Sequence, residues 1–126
     1  MLRTDEKRTA PRVTTIVPVN CRVLGAGTVA IPSQRGAPPT RDFAAKTVNV
    51  SRDGLLINCD ADLLLGTPLE VTLNAPNDGH VVRITADVAW SRRNSINLFG
   101  RYAAGLRIRK VSEADRKVLT DFFKPL

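Results

Sequence analysis

Aromatic side chains are scarce in this chain: one tryptophan, one tyrosine and four phenylalanines in 126 residues. A binder of long single-stranded nucleic acid uses a run of exposed rings as a stacking platform, and little is available to build one. One histidine, His80, and two cysteines, Cys21 and Cys59, have no metal-ligand spacing. Both cysteines lie in strand-like runs and read as buried free thiols of a reducing cytoplasm; whether they could pair depends on a proximity that spacing does not give. No apolar run approaches the roughly 20 residues that span a bilayer, and Met1-Leu2-Arg3-Thr4-Asp5-Glu6-Lys7-Arg8 has no apolar core and does not read as a secretory signal. The chain is therefore expected in the cytoplasm, without a membrane span. Acids are the remaining shortage. Twelve Asp and Glu face nineteen Lys and Arg, a formal charge of +7. Residues 92–110 hold Arg92, Arg93, Arg101, Arg107, Arg109 and Lys110 with no acid among them. The total points to an anionic partner, although a cationic bias on a solvated surface accounts equally for most single side chains.

What is present is a pattern of short strands. Residues 1–12 are polar and without periodicity, and read as a flexible arm. Residues 13–24 are rich in β-branched side chains and predict a first strand, with Pro18 implying an edge position or a bulge. Residues 25–46 carry Gly25, Gly27, Pro32, Gly36, Pro38 and Pro39 and read as irregular, with a short strand at 28–31. Strands follow at 47–50 and 55–59, joined by Ser51-Arg52-Asp53-Gly54, where the Asp-Gly pair is a hairpin cue because glycine accepts a positive φ. Further strands are predicted at 69–73, at 80–90 with Val82, Ile84, Ala86, Val88 and Trp90 on one face, and at 98–108; Trp90 reads as core, with a ring lining a ligand pocket as the lesser alternative. Ser112 stands three residues before Asp115 and caps an amphipathic helix over 113–123. The length fits one domain. The expected fold is mainly β: a small six-stranded antiparallel, Greek-key-like barrel closed by a C-terminal α-helix.

Two clusters carry the chemistry. Arg8-Thr9-Ala10-Pro11-Arg12 is R-x-x-x-R, and Asn49-Val50-Ser51-Arg52-Asp53-Gly54 is N-x-S-x-x-G at a strand-turn-strand junction. Taken singly, the arginines read as solvated charges on a tail and the second cluster as turn chemistry. Together and in this order they resemble the signature of the PilZ domain, a small β-barrel that binds the bacterial second messenger cyclic di-GMP. Ala86-Asp87-Val88-Ala89-Trp90, Ala104-Gly105-Leu106-Arg107-Ile108 and the capped helix are similar to the family's last strands and ending. The stretch 25–45 departs from compact members in being longer.

The resemblance implies a division into an arm, residues 1–12, and a barrel with helix, residues 13–126. It implies a cyclic di-GMP site in which Arg8 and Arg12 bind guanine and phosphate from the arm while Asn49, Ser51 and Gly54 act from the barrel wall. Lys7 and Arg52 are weaker candidates. A basic residue at the position of Lys7 is associated in the family with an intercalated ligand pair. The residue types suit the task. A guanidinium fork meets guanine O6 and N7 together and grips phosphate bidentately. Pro11 limits the arm's freedom and so the cost of ordering it. Asn49 can read a base edge, and the Ser51 hydroxyl can reach a phosphate or a guanine amine. Cyclic di-GMP is the ligand, and no cofactor or metal is expected. The implied function is a receptor or adaptor that signals to an effector protein, its identity unspecified, by folding the arm. The alternatives are a basic barrel for nucleic acid, disfavoured by the aromatics, and a ligand-independent adaptor, disfavoured by the intact motifs. An enzyme is not expected: His80 reads as an exposed polar residue, Asp60 and Asp62 as loop acids, and no nucleophile–base pair can be assembled.

Overall fold

In a computed structural model, described here for residues 16–25, 27–30, 38–51, 53–74, 79–95 and 100–122 (with the side chains of residues 48 and 122 set aside), the chain forms six strands and a helix. They are β1 (Val17–Val23), β2 (Asp42–Val50), β3 (Gly54–Cys59), β4 (Pro68–Asn74), β5 (Val81–Arg93), β6 (Tyr102–Val111) and α1 (Glu113–Phe122). All pairings are antiparallel and the sheet closes in the order β1-β2-β3-β6-β5-β4. The neighbours β3–β6 and β4–β1 are not consecutive in sequence, which gives the Greek-key character. Closure leaves few open sheet edges. Of the sequence expectations, the arm 1–12, residues 13–15 of the first strand, residues 31–37, 75–78 and 96–99, and the last residues of the chain lie outside the described residues.

Alternation builds the core. In β1, Val17, Val19, Cys21 and Val23 are buried and the residues between them exposed; Leu55, Ile57, Leu69, Val71, Leu73, Val82, Ile84, Ala86 and Val88 complete the interior. Pro18 pairs with Lys46 of β2, but β4 joins β1 only from Asn20 onward. The missing N–H thus falls where β1 has one neighbour, the edge position anticipated for it. Strand β2 begins earlier than expected. Phe43-Ala44-Ala45-Lys46 lacks β-branched residues, yet Phe43 and Ala45 face inward and all four pair with β1, an override of propensity by packing. The expected strand at 28–31 is reduced to two isolated bridges, Val29 with Thr40 and Ala30 with Asp62. Strand β5 runs on to Arg93, past its expected end. Both cysteines are free and buried; burial pushes the Cys21 thiol up to about 12 and that of Cys59 to about 11, so neither is a nucleophile near neutrality.

Helix α1 starts as its sequence indicates. The Asp115 amide donates to Ser112 Oγ at 3.1 Å, and Leu119 is buried against the barrel with Val111 and Val118 beside it. Asp115 also ties the helix to β5: its carboxylate accepts from the Arg83 amide at 3.1 Å and faces His80 Nε2 at 2.8 Å. Burial is the largest influence on this carboxyl and raises its pKa, but the contacts with His80, the Arg83 amide and Ser112 outweigh it and hold the group below its ordinary value. A carboxyl depressed in the folded state stabilises above its unfolded pKa of about 3.9, and that contribution is lost as pH falls through the folded value. Asp115→Asn is expected to cost about 1–2 kcal/mol near pH 7. The gap from the parent protein should close below about pH 4, as thermal melts across pH will record; a gap independent of pH would show that charge plays no part.

Candidate functional site

Two β-bulges decide what the outer wall of the barrel displays. On β2, Thr47 pairs with Ile57 and Asn49 with Leu56, so Val48 is an extra residue opposite the β3 step. Residues two apart on a regular strand share a face. Here Thr47 points into the core at 0% exposure while Asn49 is exposed. The inserted residue has reversed the phase. Thr47 is the sole polar side chain among the buried core residues described, and it donates its hydroxyl to the Leu56 carbonyl across the bulge at 2.7 Å.

The second bulge corrects a sequence expectation. Trp90 was expected to share the inward face of Val82, Ile84, Ala86 and Val88. Val88 pairs with Leu106 but Trp90 with Gly105, leaving Ala89 as the extra residue. The phase flips and the indole is turned out, 40% exposed. Gly105 makes room for it: a Cβ there would collide with the indole ring at Nε1, Cε2 and Cδ1. The Arg92 guanidinium lies over the same ring, 5.2 Å from its centroid, within cation–π range.

The two bulges combine into one transverse row. Asn49 pairs with Leu56, Leu56 with Gly105 and Gly105 with Trp90, across β2, β3, β6 and β5. This row, with the β2–β3 corner beside it, lines an open groove of about 370 Å³ that also touches Ser51, Asp53, Gly54 and Arg107. The size is within the range of small-molecule sites. At the corner, the Ser51 amide and hydroxyl both donate to the Gly54 carbonyl, at 2.8 and 3.2 Å, and the Ile108 amide donates to the Asp53 carbonyl at 2.8 Å. Gly54 is needed for a reason other than the positive φ expected of it. Its Cβ position lies 2.7 Å from the Leu106 carbonyl oxygen, so β6 approaches too closely for a side chain. Gly54 pairs with Arg107, whose guanidinium is exposed at the groove. The nearby Asp87 carboxylate is engaged by Arg109 at 3.3 Å.

Of the candidate residues, Asn49, Ser51 and Gly54 are brought together at the groove; Lys7, Arg8, Arg12 and Arg52 lie outside the described residues. Val17, where β1 begins, pairs with Thr47, so the chain leading into β1 arrives beside the first bulge. Leu56, Gly105 and Arg107 were not anticipated as site residues, and Trp90 only as the lesser alternative to a core position. Other minor candidates have structural partners: Asp60 accepts from the Arg101 amide at 3.0 Å, and His80 meets Asp115. Among the described residues no group of His, Cys, Asp and Glu is arranged to hold a metal ion, and no helix is long and apolar enough to cross a membrane.

A closed six-stranded barrel with a helical end and a groove on its outer wall is the architecture of a small ligand-binding module. The chain belongs to the PilZ domain family, whose model matches residues 6–124. It is similar in fold to the crystal structure of the PilZ domain of CeSA from a cellulose-synthesizing bacterium, with a TM-score of 0.55 and 15% identity over 90% of this chain and 95% of that one. No curated protein sequence matches it. Membership implies a cyclic di-GMP receptor or adaptor kind of function; domains of this family are not enzymes.

Two measurements test the geometry. Trp90, the single tryptophan, should emit as a partly solvated indole and be quenched by iodide in the folded protein; a fully protected, blue-shifted emission would return it to the core. Gly54→Ala should destabilise the fold by about 1–3 kcal/mol in denaturant titrations, because the new methyl meets β6 backbone.

Proposed function

We propose that this protein is a cyclic di-GMP receptor in which the arm bearing Arg8 and Arg12 closes over a ligand seated on the Asn49–Leu56–Gly105–Trp90 row. The observation that supports it is the shared location of the groove, the N-x-S-x-x-G corner and the start of β1. Arg12 precedes Val17 by five residues, a span of at most about 18 Å, so its guanidinium can reach the groove. The indole of Trp90 offers a face for one purine. Arg107 on the wall, with Arg8 and Arg12 from the arm, supplies the donors for guanine O6 and N7 and for two phosphates. The Ser51 hydroxyl proton is already given to the Gly54 carbonyl. Its lone pairs remain, which suits it to accept from a guanine amine rather than to donate to phosphate. Asn49 reads the adjacent base edge. Lys7 extends the cationic arm and favours a pair of stacked ligand molecules, and Arg52 adds charge at the corner.

The output is an ordering of the arm, presented to an effector protein in the cytoplasm. Ordering a segment on binding is a recognised switch that costs some of the gross affinity. The outward turn of Trp90 removes one objection to nucleic acid, yet a single ring is what a dinucleotide needs and less than a strand of bases uses.

Calorimetric titration with cyclic di-GMP, GTP and a short oligonucleotide tests the proposal. Binding should be selective for cyclic di-GMP and weaken with salt. Arg8→Ala, Arg12→Ala and Trp90→Ala should each lose about 1–3 kcal/mol, or about tenfold to a hundredfold in affinity. Undiminished binding by the Arg8→Ala/Arg12→Ala double variant would end the receptor reading, and oligonucleotide binding without a dinucleotide signal would replace it.

A further inference from the structure

Residues 60–67 carry the chain from β3 to β4 across one end of the barrel, passing β6 and β5 on the way. Hydrogen bonds along its length fix the path. The Asp60 carboxylate accepts from the Arg101 amide at 3.0 Å, Ser91 Oγ donates to the Leu63 carbonyl at 2.9 Å, and the Gly66 amide and Val88 carbonyl meet at 2.8 Å. The Val88 amide returns a bond to the Thr67 carbonyl at 3.0 Å, and Thr67 Oγ1 closes the turn on the Leu64 carbonyl at 2.8 Å. Ala61 and Leu63 point inward and plug the barrel end, 1% and 2% exposed. Leu64 and Leu65 are left outside, 76% and 70% exposed. A turn tip ordinarily carries polar residues, and nothing in the packing of the barrel asks for two leucines there.

Two exposed arginines stand at the same end of the molecule, with the exposed acids Asp60 and Asp62 at the start of the crossing. Strand β4 pairs with β5 only as far as Asp87, so β5 overhangs it, and Arg92 and Arg93 are exposed on the overhang next to Ser91, which holds the leucine turn. None of the four ion pairs formed by the described residues involves Arg92 or Arg93. Arg92 lies over the Trp90 ring at the groove, so the arginine pair stands between the groove and the leucine turn held by Ser91.

We propose that Leu64, Leu65, Arg92 and Arg93 form the docking surface for the effector, and that the effector offers an acidic amphipathic segment, apolar on one side and rich in carboxylates on the other. The proposal rests on the receptor reading and gives its partner a chemistry. Apolar side chains held on a fixed turn bury area with little ordering cost, and arginine forks select carboxylates with defined geometry. A protein occupant is favoured over an anionic lipid surface because the cations here are arginines, which are enriched at protein interfaces while lysine is depleted there. A lipid surface draws no such distinction.

The test is a ¹⁵N chemical-shift titration of the full chain with a synthetic amphipathic helix of leucine and glutamate. The expected footprint centres on the amides of Leu64, Leu65, Arg92 and Arg93, and affinity falls about tenfold or more for Leu64→Asp/Leu65→Asp. A sister peptide with lysine in place of glutamate should leave the footprint empty. Because both leucines are exposed, the double variant should melt close to the parent; if it does not fold, Arg93→Glu serves with the same expectation. A footprint elsewhere, no footprint, or equal binding by the variant overturns the proposal. Stronger binding to phosphatidylglycerol vesicles, lost in the same variant, overturns it in favour of a membrane face. Neither leucine lines the groove, so the variant should keep the parent's affinity for cyclic di-GMP. That separates failure of the docking surface from failure of the receptor reading.

Discussion

The site depends on two inserted residues. Without the bulge at Val48, Asn49 would follow Thr47 into the core; without the one at Ala89, Trp90 would follow Val88. Each insertion reverses the inward–outward phase of one strand at one point. Both reversals fall on the same transverse register row, so a polar amide and an indole emerge together on a wall that strict alternation would have left with other residues. The bulges are held by what surrounds them. The Thr47 hydroxyl satisfies the Leu56 carbonyl inside, and Gly105 provides the flat strand on which the indole rests outside.

Close approach of backbones is the second constraint, and it explains glycines that turn chemistry alone would not. Gly54 stands where the β2–β3 corner meets the Leu106 carbonyl, and the Asp53 carbonyl is bonded to Ile108 at the same place. The corner is therefore fastened to β6 rather than hanging from its own hairpin. That fixes Ser51 of the corner relative to Arg107 of β6, and a corner fastened to a rigid strand holds its geometry better than a free loop.

Most of the barrel was legible because its signal is periodic. The alternation in β1, β4 and the first part of β5, the Ser112 cap and the Asn49–Gly54 corner all follow from local chemistry. The misplacement of Trp90 has a plain cause. Phase is a local property, and a bulge resets it without leaving a mark in the pattern of apolar residues. Trp90 was placed in the core by counting in twos from Val82, and the count was right until Ala89. Asn49 was picked out by motif and not by counting, and the bulge at Val48 turns it toward the groove. The early start of β2 was missed because Phe43-Ala44-Ala45-Lys46 has no β-branched residue and is held by pairing with β1, Ala45 and Lys46 with β3 as well. Gly54 was read as a positive-φ turn glycine, whereas what constrains it is close contact with β6, a tertiary fact that a short sequence window does not contain.

A barrel of six strands has no room for a ligand inside. Its interior is filled by Val, Leu and Ile side chains at or near zero exposure, as small barrels require. Binding must then happen on the outside, where a convex wall offers little concavity, and the bulges supply only an open groove. Small-molecule sites bury some 70–90% or more of a drug-sized ligand's surface, which a groove on one wall cannot achieve. On the proposed reading, the missing wall is the segment leading into β1, and this is why the guanidinium pair is carried before the barrel rather than within it. On the same reading the receptor acts as a switch, because the wall that completes the site closes when the ligand arrives.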